Sequence, residues 1–593
     1  MKFRPARVEQ FFRTYVIQHF SISPDEKRML FSTNLNGKMN VWAMDLPDGF
    51  PYLFAQTSQS AQFLKEDKRG SCVIAAFDKD GDENYQLHAL PPAGGLPEQL
   101  FEARPGEKHF FHDLREDGSL YFSSSRGNPS FLTGWRYDLE SHSLEQLFEG
   151  KRGAAFFKAV SPDGTLAVVS EMRANTHVPA YAVYEGEWQA LSRTPDEPHV
   201  TGDAVFTDDH TLFMVTNEEA EFSFLTKVDL RDGSQQPVLS LPNESITSLK
   251  RHEESGDLIF TTEKGVADKL YRWRSGAADP EELQAPFSII QQFSMTASGD
   301  IYVLGMEADT PLNIFRYRGD SWTMLTKNLV PGVPSEELIQ PSTVSYTSFD
   351  GTDIEALLFR PKPEKDNGHM IFWPHGGPQA AERRQYRAMF QSFLHEGYAV
   401  FAPNFRGSTG YGSSFVKLVE QDWGEGPRLD CTAGIEWLFK EGYCSPDRLF
   451  LIGGSYGGYM ALLLHGRHSD YFRAVVDIFG VSNLFTFIKS VPDHWKPIMD
   501  RWLGDPVKDK KRLEKDSPIT YLHGMKKPML VIQGANDPRV VKEESDQIVE
   551  ALKRQGTEVD YLVLDDEGHG FSKKENEIRV YRRMLDFLAE HQQ

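Results

Sequence analysis

Residues Phe450 to Gly466 read FLIGGSYGGYMALLLHG, and the fold turns on how this stretch is understood. An apolar run ends in Gly453-Gly454-Ser455-Tyr456-Gly457 and continues directly into an apolar, helix-like segment. The pattern G-x-S-x-G between a strand and a helix is that of a nucleophile elbow, a sharp turn that holds a serine hydroxyl out at the edge of a sheet. The serine backbone is strained there. Glycines at 453 and 457 would remove the Cβ atoms that clash where strand and helix approach. The competing reading is a glycine-rich turn without chemistry, and the motif alone does not choose between them.

Its surroundings do. Beyond a change of pattern near Pro331–Pro341, strand-like and helix-like segments alternate. GHMIFWPHGG, YAVFAPNF, DRLFLIGG, FRAVVDIF, PMLVIQG and EVDYLVLDD read as strands. AERRQYRAMFQSFLHEG, LDCTAGIEWLFKEG, GGYMALLLHG, EESDQIVEALKRQG and ENEIRVYRRMLDFLAEHQ read as helices between and after them. Strands this apolar, separated by helices, specify a buried parallel sheet.

A serine hydroxyl is a poor nucleophile without a base, and the base needs an orienting carboxylate. On such a sheet their chain order is Ser, Asp or Glu, then His. PMLVIQG is followed by Ala535-Asn536-Asp537, and EVDYLVLDD by Glu567-Gly568-His569-Gly570. Ser455, Asp537 and His569 are therefore the expected triad. Asp565, Asp566 and Glu567 compete for the acid role but would have to double back. Asp430, Asp477, His465 and His468 are the remaining competitors. The oxyanion needs two donors. The N–H of Tyr456 is one, and the other is expected from the loop His375-Gly376-Gly377-Pro378. Val481, Leu484, Trp495 and Met499 are candidate apolar lining, with core packing as the equal alternative.

The first half has another grammar. A turn phrase recurs at Ser23 (SPDE), Lys65 (KEDK), Arg115 (REDG), Ser161 (SPDG), Thr207 (TDDH), Glu253 (EESG) and Thr296 (TASG). Each is followed by a short alternating apolar run, such as RMLFST, SLYFSSS or DIYVLGM. A strand–turn–strand unit of about 45 residues is the period of propeller blades. Seven phrases predict seven blades. DKDGDEN, Asp78 to Asn84, resembles a calcium loop, but its glycine is in the wrong place for an EF-hand, and it reads as a carboxylate-rich hairpin turn. The fold class expected is all-β plus α/β: an N-terminal seven-bladed β-propeller over 1–335 and a C-terminal α/β-hydrolase domain over 336–593.

The chain has 593 residues, too many for one core. Its net charge of −22 argues against nucleic acid or an anionic membrane as partner. The only cysteines, Cys72, Cys431 and Cys444, form no paired pattern and suit reduced thiols in a cytoplasmic protein. No apolar run approaches the length of a membrane helix, and the first residues lack the pattern of a signal peptide. HExxH is absent, and no metal or cofactor is expected.

Together, HGGP, NFRGSTGYG, GGSYGGYM, GANDPRV and EGHGF, following a propeller pattern, resemble the prolyl oligopeptidase family of serine peptidases over the whole chain. Within it, HGGP and the Asp-Pro-Arg around the acid are most similar to the acylaminoacyl peptidases. The resemblance implies the triad above, an oxyanion hole from the N–H groups of Gly377 and Tyr456, and Arg539 holding a substrate carbonyl. The partners it implies are short, N-acylated peptides, with a homo-oligomer, a dimer in particular, as the assembly. His375 stands where prolyl oligopeptidase has a tyrosine donor, which argues against proline specificity. Glu218-Glu219 and Glu253-Glu254 lie outside the motif with which the dipeptidyl peptidases grip a free amine, so amine recognition is not expected. The alternatives are a general oligopeptidase or a carboxylesterase with the same triad, and a propeller binding module beside an inactive hydrolase.

Overall fold

The structure, a computed structural model, describes residues 6–592. Seven four-stranded antiparallel sheets come first, each built from one uninterrupted run of chain, from Ile17–Ile22 in blade one to Ser321–Met324 in blade seven. The recurring turn phrases join the first and second strands. In SPDG the turn is closed by its own polar atoms: Thr165 N–H donates to Asp163 Oδ1 at 3.0 Å and Leu166 N–H to Ser161 Oγ at 2.9 Å, with Gly164 at φ 76°. The second strands, such as Val73–Phe77 and Ser119–Ser124, are buried along their whole length, whereas the outer strands face water. No strand is shared between the first and last blades. A side-chain amide closes the ring instead, Phe20 N–H donating to Gln292 Oε1 at 3.0 Å and Gln292 Nε2 to the Phe20 carbonyl at 2.8 Å.

The second domain is one eight-stranded sheet. Its spatial order is Ser342–Thr347, Asp353–Phe359, Ala399–Pro403, Met370–Phe372, Leu449–Gly454, Val475–Ile478, Met529–Gly534, Val559–Leu564. Asp353–Phe359 runs antiparallel to both of its neighbours, and the remaining pairings are parallel. Successive side chains enter opposite cores, as the two-residue period of a strand demands. Leu449 and Leu451 pack with Val475, Met529 and the helix Tyr456–His468; Phe450 and Ile452 pack with Val476, Leu530 and the helices Ala388–His395 and Lys574–Glu590. This is a seven-bladed propeller followed by an α/β hydrolase.

Two features depart from the sequence reading. The segment AERRQYRAMFQSFLHEG is helical only over Ala388–His395. Before it, Glu382 is fully buried as a tertiary link, accepting from Trp373 Nε1 at 3.0 Å and pairing with Arg387 at 2.7 Å, and these bonds outweigh helix propensity. Residues 6–14, ahead of the first blade, lie on the α/β domain: Phe11 and Phe12 join the core of Trp373 and Phe390, and Phe12 stacks on Tyr581 at 4.5 Å. Among the described residues no helix is long and apolar enough to cross a membrane.

Candidate active site

The elbow has the strained geometry its glycines imply. Ser455 sits at φ 58°, ψ −123°, and the helix Tyr456–His468 starts at the next residue. A Cβ on Gly453 would lie 2.0 Å from the Gly457 carbonyl oxygen, and one on Gly457 would lie 2.1 Å from that of Pro374. No other residue fits either position without moving main chain. The serine is fixed through its own backbone, its N–H donating to the Ile478 carbonyl at 2.9 Å and its carbonyl accepting Tyr459 N–H at 2.9 Å.

Asp537 and His569 follow the last two strands and converge on Ser455. His569 Nε2 is 2.9 Å from Ser455 Oγ, and Nδ1 is 2.6 Å from Asp537 Oδ2. The other Asp537 oxygen accepts the N–H groups of Arg539 at 2.9 Å and Val540 at 3.0 Å, which fix the orientation of the carboxyl group. A neutral imidazole with its proton on Nδ1 donates to Asp537 and accepts the serine proton at Nε2. Three of the competing acids are occupied elsewhere. Glu567 accepts Ser572 and Lys573 N–H groups, Asp566 pairs with Lys573, and Asp430 pairs with Arg406. His465 accepts the Lys527 N–H, and His468 faces Arg428.

Gly376 and Gly377 pass beside the serine. A Cβ on Gly376 would be 3.4 Å from Ser455 Cβ, and Gly377 has φ 132°, which favours glycine. The loop is braced by His375, stacked on Phe405 at 4.2 Å with Nε2 2.8 Å from Ser408 Oγ. Burial pushes the His375 imidazole down to about 4, so it is a neutral scaffold and not a proton carrier. The Tyr456 N–H opens the helix, where no intrahelical acceptor exists. The arrangement thus sets two main-chain segments, at Gly376-Gly377 and Tyr456, beside a hydrogen-bonded serine, imidazole and carboxyl group, a constellation with which acyl transfer is chemically feasible.

Residues 384–593 match the model of the prolyl oligopeptidase family. Its C-terminal domain thus carries the match to the prolyl oligopeptidase family. Dipeptidyl aminopeptidase BIII of Pseudoxanthomonas mexicana is 27% identical over 96% of this chain and 86% of its own length. The human acylamino-acid-releasing enzyme is 28% identical over 42% of this chain and 35% of its own. The crystal structure of a puromycin hydrolase superposes with a TM-score of 0.86 at 19% identity, covering 99% of this chain and 96% of that one. The likeness in fold thus extends over both domains.

The remaining expectations meet a different environment. Arg539 is paired with Glu83 of the propeller. Its Nε donates to Glu83 Oε1 at 2.8 Å, its Nη2 lies 2.7 Å from the same oxygen, and its guanidinium lies 5.9 Å from the Trp495 ring. Glu83 belongs to the blade-two hairpin DKDGDEN, which joins Val73–Phe77 to Gln86–Leu90. That hairpin holds three left-handed residues, Asp80 at φ 52°, Gly81 at 80° and, after Asp82, Glu83 at 56°. Strain of this kind persists where the surroundings enforce it. A cavity of about 420 Å³ opens between the domains, lined by Asp78, Glu83, Tyr85, Arg539 and His569 among others. Asp78, Asp82 and Glu83 face Arg539 and Lys108 there, and burial pushes Asp78 up to about 6. Glu218 and Glu253 are engaged elsewhere, with Thr194 and Lys68. Val481, Leu484 and Met499 are buried in the sheet's core cluster, and Trp495 packs against it from under Arg539. Sequence reasoning missed Glu83. Its only signal was the unusual density of acids in one hairpin.

Proposed function

We propose that this chain is a serine exopeptidase that holds a short peptide by its free α-amino group, with Glu83 as the receiving carboxylate and Ser455, Asp537 and His569 as the triad. The observation that carries the reading is the reach of Glu83 from the propeller to Arg539, two residues past Asp537, in the cavity that His569 lines. An α-ammonium buried without an opposite charge is costly, so a site reading it must supply carboxylate. Both Arg539 contacts fall on Oε1, and among the described residues Oε2 accepts no hydrogen bond. A relative similar along nearly the whole chain is named for dipeptidyl aminopeptidase activity, which agrees.

In the proposed cycle, His569 Nε2 takes the Ser455 proton as Oγ attacks the scissile carbonyl. Asp537 stabilises the imidazolium, and the N–H groups of Tyr456 and Gly377 receive the oxyanion. His569 then protonates the leaving amine, and water repeats the sequence on the acyl-enzyme.

The second reading is release of N-acylated residues. Arg539 favours it, since a guanidinium donates to a neutral acyl carbonyl and repels ammonium. Relatives of the catalytic half named acylamino-acid-releasing enzyme agree with that alternative. The two readings part on one pair of substrates, a dipeptidyl arylamide and its N-acetyl twin. Higher kcat/KM for the free amine supports amine recognition, and higher kcat/KM for the acetylated twin supports the acylaminoacyl reading.

A further inference from the structure

The strand Val475–Ile478 ends in a turn that touches both sides of the proposed relay. Its first residue beyond the strand, Phe479, has φ 42°. For a bulky aromatic side chain this is a costly backbone, tolerated only where the surroundings enforce it. The enforcement is visible. Phe479 N–H donates to the Ile532 carbonyl at 2.8 Å, on the strand that leads to Asp537. The preceding carbonyl, Ile478, accepts the Ser455 N–H at 2.9 Å. On the far side, the buried Asp477 carboxylate fills space left by two glycines: a Cβ on Gly458 or Gly480 would lie 2.4 or 2.3 Å from its Oδ1. The turn is therefore pinned to the nucleophile, to the acid strand and to the first turns of the helix after Ser455. The ring it presents lies 4.5 Å from the His569 imidazole at 45°, and 5.9 Å from Phe571.

We infer that Phe479 is a positioning residue for His569, its ring forming the wall that keeps the imidazole between Ser455 and Asp537 and the aromatic face that steadies the imidazolium during turnover. This rests on the triad reading above. A residue that only filled space would pack from a relaxed backbone. Here the strained backbone aims the ring at the one side chain that gains and loses a proton in each half-cycle. An aromatic face attracts a cation and leaves the neutral ring nearly indifferent, so its effect is largest in the transition state.

The groups facing this imidazole are Asp537 on Nδ1 and, around the shared cavity, Lys38, Asp78, Glu83, Arg539, Glu567 and Lys573. On the turn itself is Asp477, which burial pushes up to about 7. The experiment is the kcat/KM profile against pH for native protein, Phe479→Leu and Phe479→Tyr, with the Asp477→Asn background to remove that carboxyl's own ionisation. In Phe479→Leu, plateau kcat should fall about tenfold with KM within about twofold, and the acid limb should move to lower pH by about half a unit, because the imidazolium loses its aromatic partner. Phe479→Tyr should restore both. A native-like kcat in Phe479→Leu, or a fall in kcat with an unmoved limb, overturns the inference. Should Phe479→Leu not fold, Phe479→Met gives the same readouts. Fluorophosphonate labelling of Ser455 in the native protein separates the two levels. Its absence removes the triad reading and this inference with it, whereas labelling with an unmoved limb removes only the role of Phe479.

Discussion

Gly81 of the propeller and Gly568, the residue before His569, meet main chain to main chain. A Cβ on Gly568 would lie 2.3 Å from the Gly81 carbonyl oxygen, and one on Gly81 would lie 2.9 Å from the Gly568 nitrogen. The blade-two hairpin is thus a rest for the loop that carries the histidine. Lys573, just beyond that loop, adds an ion pair to Asp80 at 3.1 Å.

Gly568→Ala tests this rest. The added methyl has only backbone to push against, so the loop must move and His569 with it. We expect kcat/KM to fall at least about tenfold, since an imidazole displaced by a fraction of an ångström loses its aligned hydrogen bonds. A native rate in this variant contradicts the buttress.

At Ser455 the expectation is simpler. A fluorophosphonate probe should label Ser455 in the native protein, and Ser455→Ala should lose both labelling and turnover. Turnover that survives places the chemistry elsewhere.

Of this site, the elbow was the most legible part in sequence. Gly453 and Gly457 are required by contacts of 2.0 and 2.1 Å with main chain, so local geometry writes itself into the residue types. Asp537 and His569 were legible through chain order and strand ends. Blade number was legible because each SPDG-like turn closes on its own side chains. Glu83 was not, because nothing local distinguishes an acid that caps a hairpin from one that reaches a partner 456 residues away. The docking of Phe11 and Phe12 on the α/β domain was hidden for the same reason, since the surface they meet is built from chain far downstream.

Asp477 gives a pH dependence with a definite sign. Burial raises its carboxyl to about 7 in the folded chain, against an unfolded value of about 3.9. Between these values the folded state holds a proton that the unfolded state has lost, so the group's contribution to stability declines as pH rises through that window. Asp477→Asn removes the titration. The difference in Tm, variant minus native, should grow between pH 4 and pH 8 (about the window those two values span). A constant difference shows that the carboxyl is not protonated in the fold.

The propeller stands over the strand ends where the triad converges, tied to the α/β domain by Arg383 with Asp268, Thr409 with Glu263 and Ser414 with Glu221. Short peptides should therefore be cut and folded, domain-sized proteins should not. Incubation with a stable folded protein, followed by mass spectrometry, checks this, and efficient internal cleavage contradicts it.

The central claim is that Glu83 reads a free amino terminus. The most direct measurement is the ratio of kcat/KM for a dipeptidyl arylamide over its N-acetyl twin, in the native protein and in Glu83→Gln. Loss of a hydrogen bond to a charged group is worth about tenfold to a hundredfold, and Arg539, released from its partner, turns against the ammonium as well. The account predicts a native ratio well above one that falls by at least that factor in Glu83→Gln, chiefly through the free-amine substrate. A native ratio at or below one, or a ratio that Glu83→Gln leaves unchanged, contradicts it.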